Sequence, residues 1–189
     1  FWPENLEYKN KKVIIIGSGA TAMTLVPSMA EQGADVTMVQ RSPTYVVSAP
    51  DKDKIANGLR KILPEKWAYA ITRFKNIKLQ RFMYERTRTA PGKVKAMLLK
   101  MVRKELGPDY DVDKHFTPSY NPWDQRLCLV PNGDLFRSLR KGTSSIVTDH
   151  IETFTEKGIQ LKSGELLEAD IIVTATGLEL LLLGGMKLE

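Results

Sequence analysis

The sequence predicts an α/β fold built around a parallel sheet, and three observations predict it. Four consecutive β-branched residues, Val13, Ile14, Ile15 and Ile16, lead straight into a glycine-rich turn, Gly17-Ser18-Gly19-Ala20-Thr21-Ala22. A short apolar run without polar alternation marks a strand buried on both faces, the habit of parallel sheets. The turn opens an apolar helix and a second strand, Asp35–Gln40, follows, so the segment reads strand, helix, strand. Near the far end, Asp170-Ile171-Ile172-Val173-Thr174 repeats the buried-strand signature. The class is therefore a Rossmann-like dinucleotide-binding domain with a parallel sheet, to which the rest of the chain adds a small β-meander and a helical insertion.

Each position of the turn has a mechanical reason. Gly17 permits the tight turn, and Gly19 leaves no Cβ between the backbone and a pyrophosphate. Ala22 is small enough for the helix to pack closely on its strand. Ser18, Ala20 and Thr21 complete the loop and the first helical turn, where free N–H groups and the positive dipole end meet phosphates. A glycine-rich turn that binds nothing is the competing reading. The flanking strands and helix favour nucleotide binding. At the end of the second strand an NAD site wants an acid for the ribose 2′-hydroxyl. Here Arg41 and Ser42 follow instead, a guanidinium and a hydroxyl suited to a 2′-phosphate, so NADPH is expected over NADH. A merely solvated arginine is the alternative.

The middle of the chain is basic. Residues 51–106 hold 16 Lys/Arg against 5 Asp/Glu, leaving 12 against 17 for the remainder and a net charge of +6 overall. Ile55, Leu59, Ile62 and Leu63 fall at helical spacing, as do Leu98, Leu99, Val102 and Leu106. Pro64 and Pro91-Gly92 divide the segment into about three helices, and Gly107-Pro108 closes it. Three readings stand: a solvated insertion with leucines inside, an electropositive lining that attracts an anionic cofactor, or a contact surface for membrane or nucleic acid. Trp67, Tyr69, Phe74, Phe82 and Tyr84 interleave with the basic residues. No nucleic-acid motif accompanies them, so nucleic acid is not expected as a partner and membrane contact ranks last.

Residues 109–124 read as a long irregular stretch of the kind that carries function. Arg126 to Val130 is a short buried strand, Asn132-Gly133 a turn, and Asp134 the cap of a helix through Arg140. Short strands follow at 145–147, 152–154, 158–162 and 166–168, the last pair joined at Ser163-Gly164.

With 42% hydrophobic and 26% charged residues the chain is globular. No run of about 18 apolar residues is present, so no spanning helix is expected. Phe1-Trp2-Pro3-Glu4 shows no secretory signal and no Met, and both ends are expected to be cut from a longer polypeptide. Cys128 is the only cysteine, which excludes an internal disulfide, a redox pair and a cysteine-rich metal site, and fits a cytoplasmic location. His115 and His150 lie far apart, so structural roles are expected and no metal.

Taken together the pieces resemble the flavin-dependent class B monooxygenases, and most closely the Baeyer–Villiger monooxygenases. Trp2-Pro3 resembles the end of the fingerprint F-x-G-x-x-x-H-x-x-x-W-[PD]. The Gly17–Ala22 turn, Arg41-Ser42, the basic insertion, Asn121-Pro122-Trp123-Asp124-Gln125-Arg126 and Ala175-Thr176-Gly177 follow in family order. The resemblance implies that residues 1–189 are the NADP-binding domain of a two-domain flavoprotein, with a helical insertion over about 51–115. The FAD domain is absent except for joins near 1–10 and 175–189. Thr176 then belongs to the motif where the two domains meet.

The chemistry implied is reduction of bound FAD by NADPH, reaction with O2, and insertion of one oxygen beside a ketone carbonyl to give an ester or lactone. Arg126 matches the family's catalytic arginine, a fixed cation where negative charge develops. By the residues alone, Arg126 pairing with Asp124 would be the simpler reading. Many members carry a lysine just before this arginine, and here Gln125 brings hydrogen bonds to the cofactor without charge. The alternatives are an N- or S-oxygenating relative and a non-catalytic binding module. Expected partners are the missing FAD domain, a ketone and O2. The fragment alone is expected to bind no FAD and to turn nothing over, with an apolar docking face near Leu178 to Leu183.

Overall fold

The protein is described by a computed structural model covering residues 2–177 together with 184 and 186. In chain order the elements are β1 (Lys12–Ile16), α1 (Ala20–Glu31), β2 (Asp35–Gln40), β3 (Tyr45–Ala49), α2 (Lys54–Ile62), α3 (Glu65–Thr89) and α4 (Pro91–Leu106). They continue with α5 (Val112–Phe116), β4 (Leu127–Pro131), α6 (Asp134–Arg140), β5 (Ser144–Thr148), β6 (Ile151–Thr155), β7 (Gly158–Leu161), β8 (Leu166–Glu168) and β9 (Ile171–Thr174).

The main sheet is four-stranded and parallel, in the order β5-β2-β1-β9. Its central strands are apolar on both faces because both are covered. Val13, Ile15, Val36 and Met38 pack against Met23, Val26 and Met29 of α1 and Leu135 and Phe136 of α6. Ile14 and Val39 pack the other way, onto Ile159 and Leu161 of the antiparallel meander β6-β7-β8. Ile15 is fully buried, which contributes roughly 2–3 kcal/mol. The parallel sheet, meander and helical insertion are all present.

The insertion lies between β3 and β4, which pair in parallel as a separate two-stranded sheet with Tyr45 opposite Leu127. Helix α4 covers this sheet through Val94 and Leu98 and reaches the main core through Leu99 and Val102. Proline and glycine set the helix ends as the sequence suggested: Pro64 precedes α3, Pro91 opens α4, and Gly107 at φ +90° terminates it. Asp53 caps α2 by accepting from the N–H groups of Ile55 and Ala56, both at 3.0 Å.

Several expectations are corrected. The reading of the insertion as apolar inside does not extend to Ile55 and Ile62. They share the helical spacing but are 58% and 81% exposed, α2 packing mainly on α3 and not on the sheet. The stretch 109–124 is not wholly irregular: Asp111 caps α5, which buries Val112 and Phe116 against Phe136. Strand β4 is not buried throughout, since it alternates and leaves Leu129 65% exposed. Strand β9 is half-buried because the sheet order leaves it with one neighbour, β1. Gly133, at φ +64°, is the cap of α6, and Asp134 occupies the first turn. The Leu178–Leu183 face lies outside the described residues.

Candidate functional site

Parallel pairing brings the carboxyl ends of β1, β2, β5 and β9 to one edge, where ligands bind in open α/β sheets. The turn after β1 is locked at that edge. The Gly17 N–H donates to the Val39 carbonyl at 2.8 Å, and the Ala175 N–H donates to the Ile16 carbonyl at 2.8 Å. Gly17 sits at φ +125°, and a Cβ there would stand 2.4 Å from the Ala175 carbonyl oxygen. Only glycine satisfies both the dihedral and the approach. Gly19 is different: a Cβ built on it meets nothing within 4 Å. Open space therefore lies over the turn at Gly19.

Helix α1 starts at Gly19 with no side-chain cap and no acid in its first turn. Its first N–H groups and its dipole are thus free for an anion. A cavity of about 490 Å³ opens there, lined by Gly17, Ser18, Gly19, Ala20, Thr21, Arg41, Ser42, Arg126 and Thr176. Residues 85 positions apart, Arg41 and Arg126, share this cavity, and among the described residues neither forms an ion pair. Asp124 pairs with Arg88 at 2.7 Å, not with Arg126.

Two expected residues lie outside the cavity. Ala22 is fully buried in the core between α1 and the sheet, where its small size serves packing. Gln125 is exposed and does not line the cavity, although its neighbour Arg126 does.

Arg126 is positioned by a tyrosine network. The Tyr120 hydroxyl donates to the Arg126 carbonyl at 3.1 Å and lies 2.9 Å from the Thr44 hydroxyl. Tyr45 donates to the Tyr120 carbonyl at 2.6 Å, and the two rings meet edge to face at 5.4 Å. Burial, with Tyr120 next in effect, raises the Tyr45 pKa and keeps this donor neutral. Cys128, two residues on, is buried, and burial raises its thiol pKa despite the opposing pull of Arg126. It is therefore a packing residue, not a nucleophile.

Ile16, Val39, Asp149, His150, Ile151, Ala175 and Gly177 complete the lining. Ala175 and Gly177 flank Thr176 in the Ala-Thr-Gly motif, whereas Asp149, His150 and Ile151 were not singled out as site residues from sequence. The pairing of β2 with β5 places Asp149, His150 and Ile151: Gln40 stands opposite Thr148, and the Asp149 N–H donates to the Gln40 carbonyl at 3.0 Å. Ala175 and Gly177 follow β9, which pairs with β1. The Asp149 carboxylate accepts from the N–H groups of His150 at 2.6 Å and Ser163 at 3.1 Å. Hydrogen bonding from Ser163, then from His150, holds its pKa low. His115 lies behind this edge, 2.8 Å from the Thr148 hydroxyl, in the structural role expected of it. Among the described residues no cluster of His, Cys, Asp and Glu is arranged to hold a metal, and no helix is long and apolar enough to cross a membrane.

No family model matches the chain. It is similar to a probable FAD-binding monooxygenase, AlmA, of Acinetobacter baylyi, at 59% identity over 98% of this chain and 37% of the relative. It is similar to an FAD-containing monooxygenase, EthA, of Mycobacterium tuberculosis, at 56% over 97% of this chain and 38% of that one. A putative FAD-containing monooxygenase of that organism, MymA, gives 56% over 99% and 38%. The chain thus spans little more than a third of each relative. Among solved structures, its fold matches OTEMO in complex with FAD and NADP, with a TM-score of 0.67 at 16% identity over 94% of this chain and 39% of the other. A steroid monooxygenase bound to NADP gives 0.66 at 20% over 93% and 40%, and cyclohexanone monooxygenase 0.64 at 17% over 93% and 42%.

Proposed function

Because the chain belongs to the FAD-containing monooxygenases, we propose that it forms the NADPH-binding domain of a Baeyer–Villiger-type enzyme, one that converts ketones to esters or lactones. The observation that carries the reading is the shared cavity. An uncapped helix N-terminus, an open cradle at Gly19 and two cations that form no ion pair among the described residues converge on it. That donor set fits a dinucleotide phosphate, and the similar folds of OTEMO with FAD and NADP and of a steroid monooxygenase with NADP support the reading.

In this reading the backbone from Gly17 to Thr21 holds the pyrophosphate, and Arg41 with Ser42 takes the 2′-phosphate by charge-assisted hydrogen bonds. Thr176, beside the Gly17 contact, closes the cavity at the join toward flavin-binding parts of the polypeptide. Gln125, which does not line the cavity, leaves recognition of the 2′-phosphate to Arg41. When bound, NADPH and FAD supply the reducing equivalents and the activated oxygen. Arg126 would supply positive charge where a substrate carbonyl oxygen becomes negative, its planar fork presenting several N–H donors at once. Its backbone anchor at Tyr120 fixes the origin of that side chain.

The test is turnover by the complete polypeptide with cyclohexanone and with a thioether. Lactone formation dependent on NADPH, abolished by Arg126→Ala with NADPH binding retained, is expected. Sulfoxide without lactone would replace the ketone reading by heteroatom oxygenation.

A further inference from the structure

Helix α3 carries an apolar stripe on the wrong side for a core. Trp67, Ile71, Phe74 and Phe82, with Lys78 between, recur at spacings of four, three, four and four, so they share one face. The residues that α3 buries, Ala68 and Thr87, lie about 80° and about 180° round the helix from the centre of that stripe. Tyr69, Ile77, Leu79 and Tyr84 are exposed on its other sides. Trp67 is 66% exposed, Phe74 64% and Phe82 52%, and Ile55 and Ile62 of α2 extend the exposed apolar surface. Basic charge is laid over the same surface. Residues 54–89 hold ten Lys/Arg against two Asp/Glu. Lys78 sits over the Phe74 ring at 5.5 Å from its centroid, and Arg86 over Phe82 at 5.3 Å.

From this juxtaposition we propose that the α2–α3 hairpin is a docking surface for an anionic lipid bilayer. The occupant must meet two demands together. It must carry negative charge, which disfavours a second copy of this chain, because that would oppose two strongly cationic faces. It must also accept aliphatic side chains such as Ile62 and Ile71 below its charged layer. A bilayer with anionic headgroups does both: aromatic rings settle at the interface, lysine and arginine heads stay among the phosphates, and the aliphatic groups enter the acyl boundary. The hairpin is also connected to the site. Arg88, at the end of α3, pairs with Asp124 two residues before Arg126, so docking would hold the cavity beside the membrane surface.

The experiment is sedimentation of the complete polypeptide with vesicles of phosphatidylglycerol mixed into phosphatidylcholine, and with phosphatidylcholine alone, with Trp67 emission recorded as the difference from Trp67→Phe. Binding to the anionic vesicles at least tenfold above the neutral ones, with a blue-shifted Trp67 signal, is expected. The double variant Trp67→Ser, Phe74→Ser, which keeps every charge and touches only exposed positions, should lose roughly tenfold of that binding. Unchanged binding in the double variant would reduce the effect to surface charge and overturn the proposal. So would equal binding to both vesicles, preference for an oligonucleotide, dimerisation through these residues, or no binding because other parts of the polypeptide cover them.

Discussion

Gly17→Ala and Gly19→Ala separate folding from binding within one turn. At Gly17 the new Cβ meets the Ala175 carbonyl oxygen at 2.4 Å, about 1 Å inside ordinary contact, and it is backbone that must yield. Holding a side chain at φ +125° costs about 1–3 kcal/mol. Moving Ala175 away weakens its hydrogen bond to the Ile16 carbonyl, about 1 kcal/mol more. A loss of roughly 3 kcal/mol lowers Tm by roughly 6–12 °C in a domain of this size. At Gly19 there is neither a clash nor an unusual dihedral, so Ala changes stability by less than about 1 kcal/mol. Its methyl group, however, enters the space assigned to the pyrophosphate. NADPH affinity should fall by roughly tenfold or more, the value of one charge-assisted contact. Paired thermal melts and NADPH titrations read both effects. If Gly17→Ala melts within 2 °C of the parent, or Gly19→Ala binds NADPH unchanged, the assignment of these two roles fails.

Arg41→Ala should weaken NADPH by roughly tenfold to a hundredfold and NADH hardly at all, because only the 2′-phosphate meets the guanidinium; isothermal titration with both nucleotides checks it. Tyr120→Phe removes the hydroxyl that joins Thr44 to the Arg126 carbonyl, costing about 1 kcal/mol of stability, and in the complete enzyme it should lower kcat with NADPH affinity held. His115 has its pKa depressed by burial first and by Lys114 second. Its neutral form is thus favoured in the fold, so its contribution is present above the unfolded pKa of about 6.5 and is lost as pH falls through the folded value. Denaturant midpoints measured from pH 7.5 down to pH 5 should decline on this account, and His115→Gln should flatten the decline.

What the sequence made legible was local or strongly periodic. The run Val13 to Ile16 and the turn after it declare a parallel strand and a helix start without any distant partner. What it concealed depended on pairing. Tyr45–Ala49, a short run between Pro43 and Pro50, becomes a strand only by meeting Leu127–Pro131 across the whole insertion. Asp149 and His150 enter the cavity only because β5 lies beside β2, although the expected parallel sheet held the clue that a third strand end must border Arg41. The apolar spacing of Ile55 and Ile62 was read correctly as helical. Periodicity says which residues share a face, and it does not say what that face meets. The same limit hid that Gln125, one residue from Arg126, does not line the cavity.

The most direct measurement is calorimetric titration of this chain with NADPH, NADH and FAD in turn. NADPH binding well above NADH, with no FAD binding, is the result expected of an NADPH-binding domain whose 2′-phosphate contact is Arg41. Binding of FAD without NADPH would make the Gly17–Ala22 turn a flavin site and reverse the assignment.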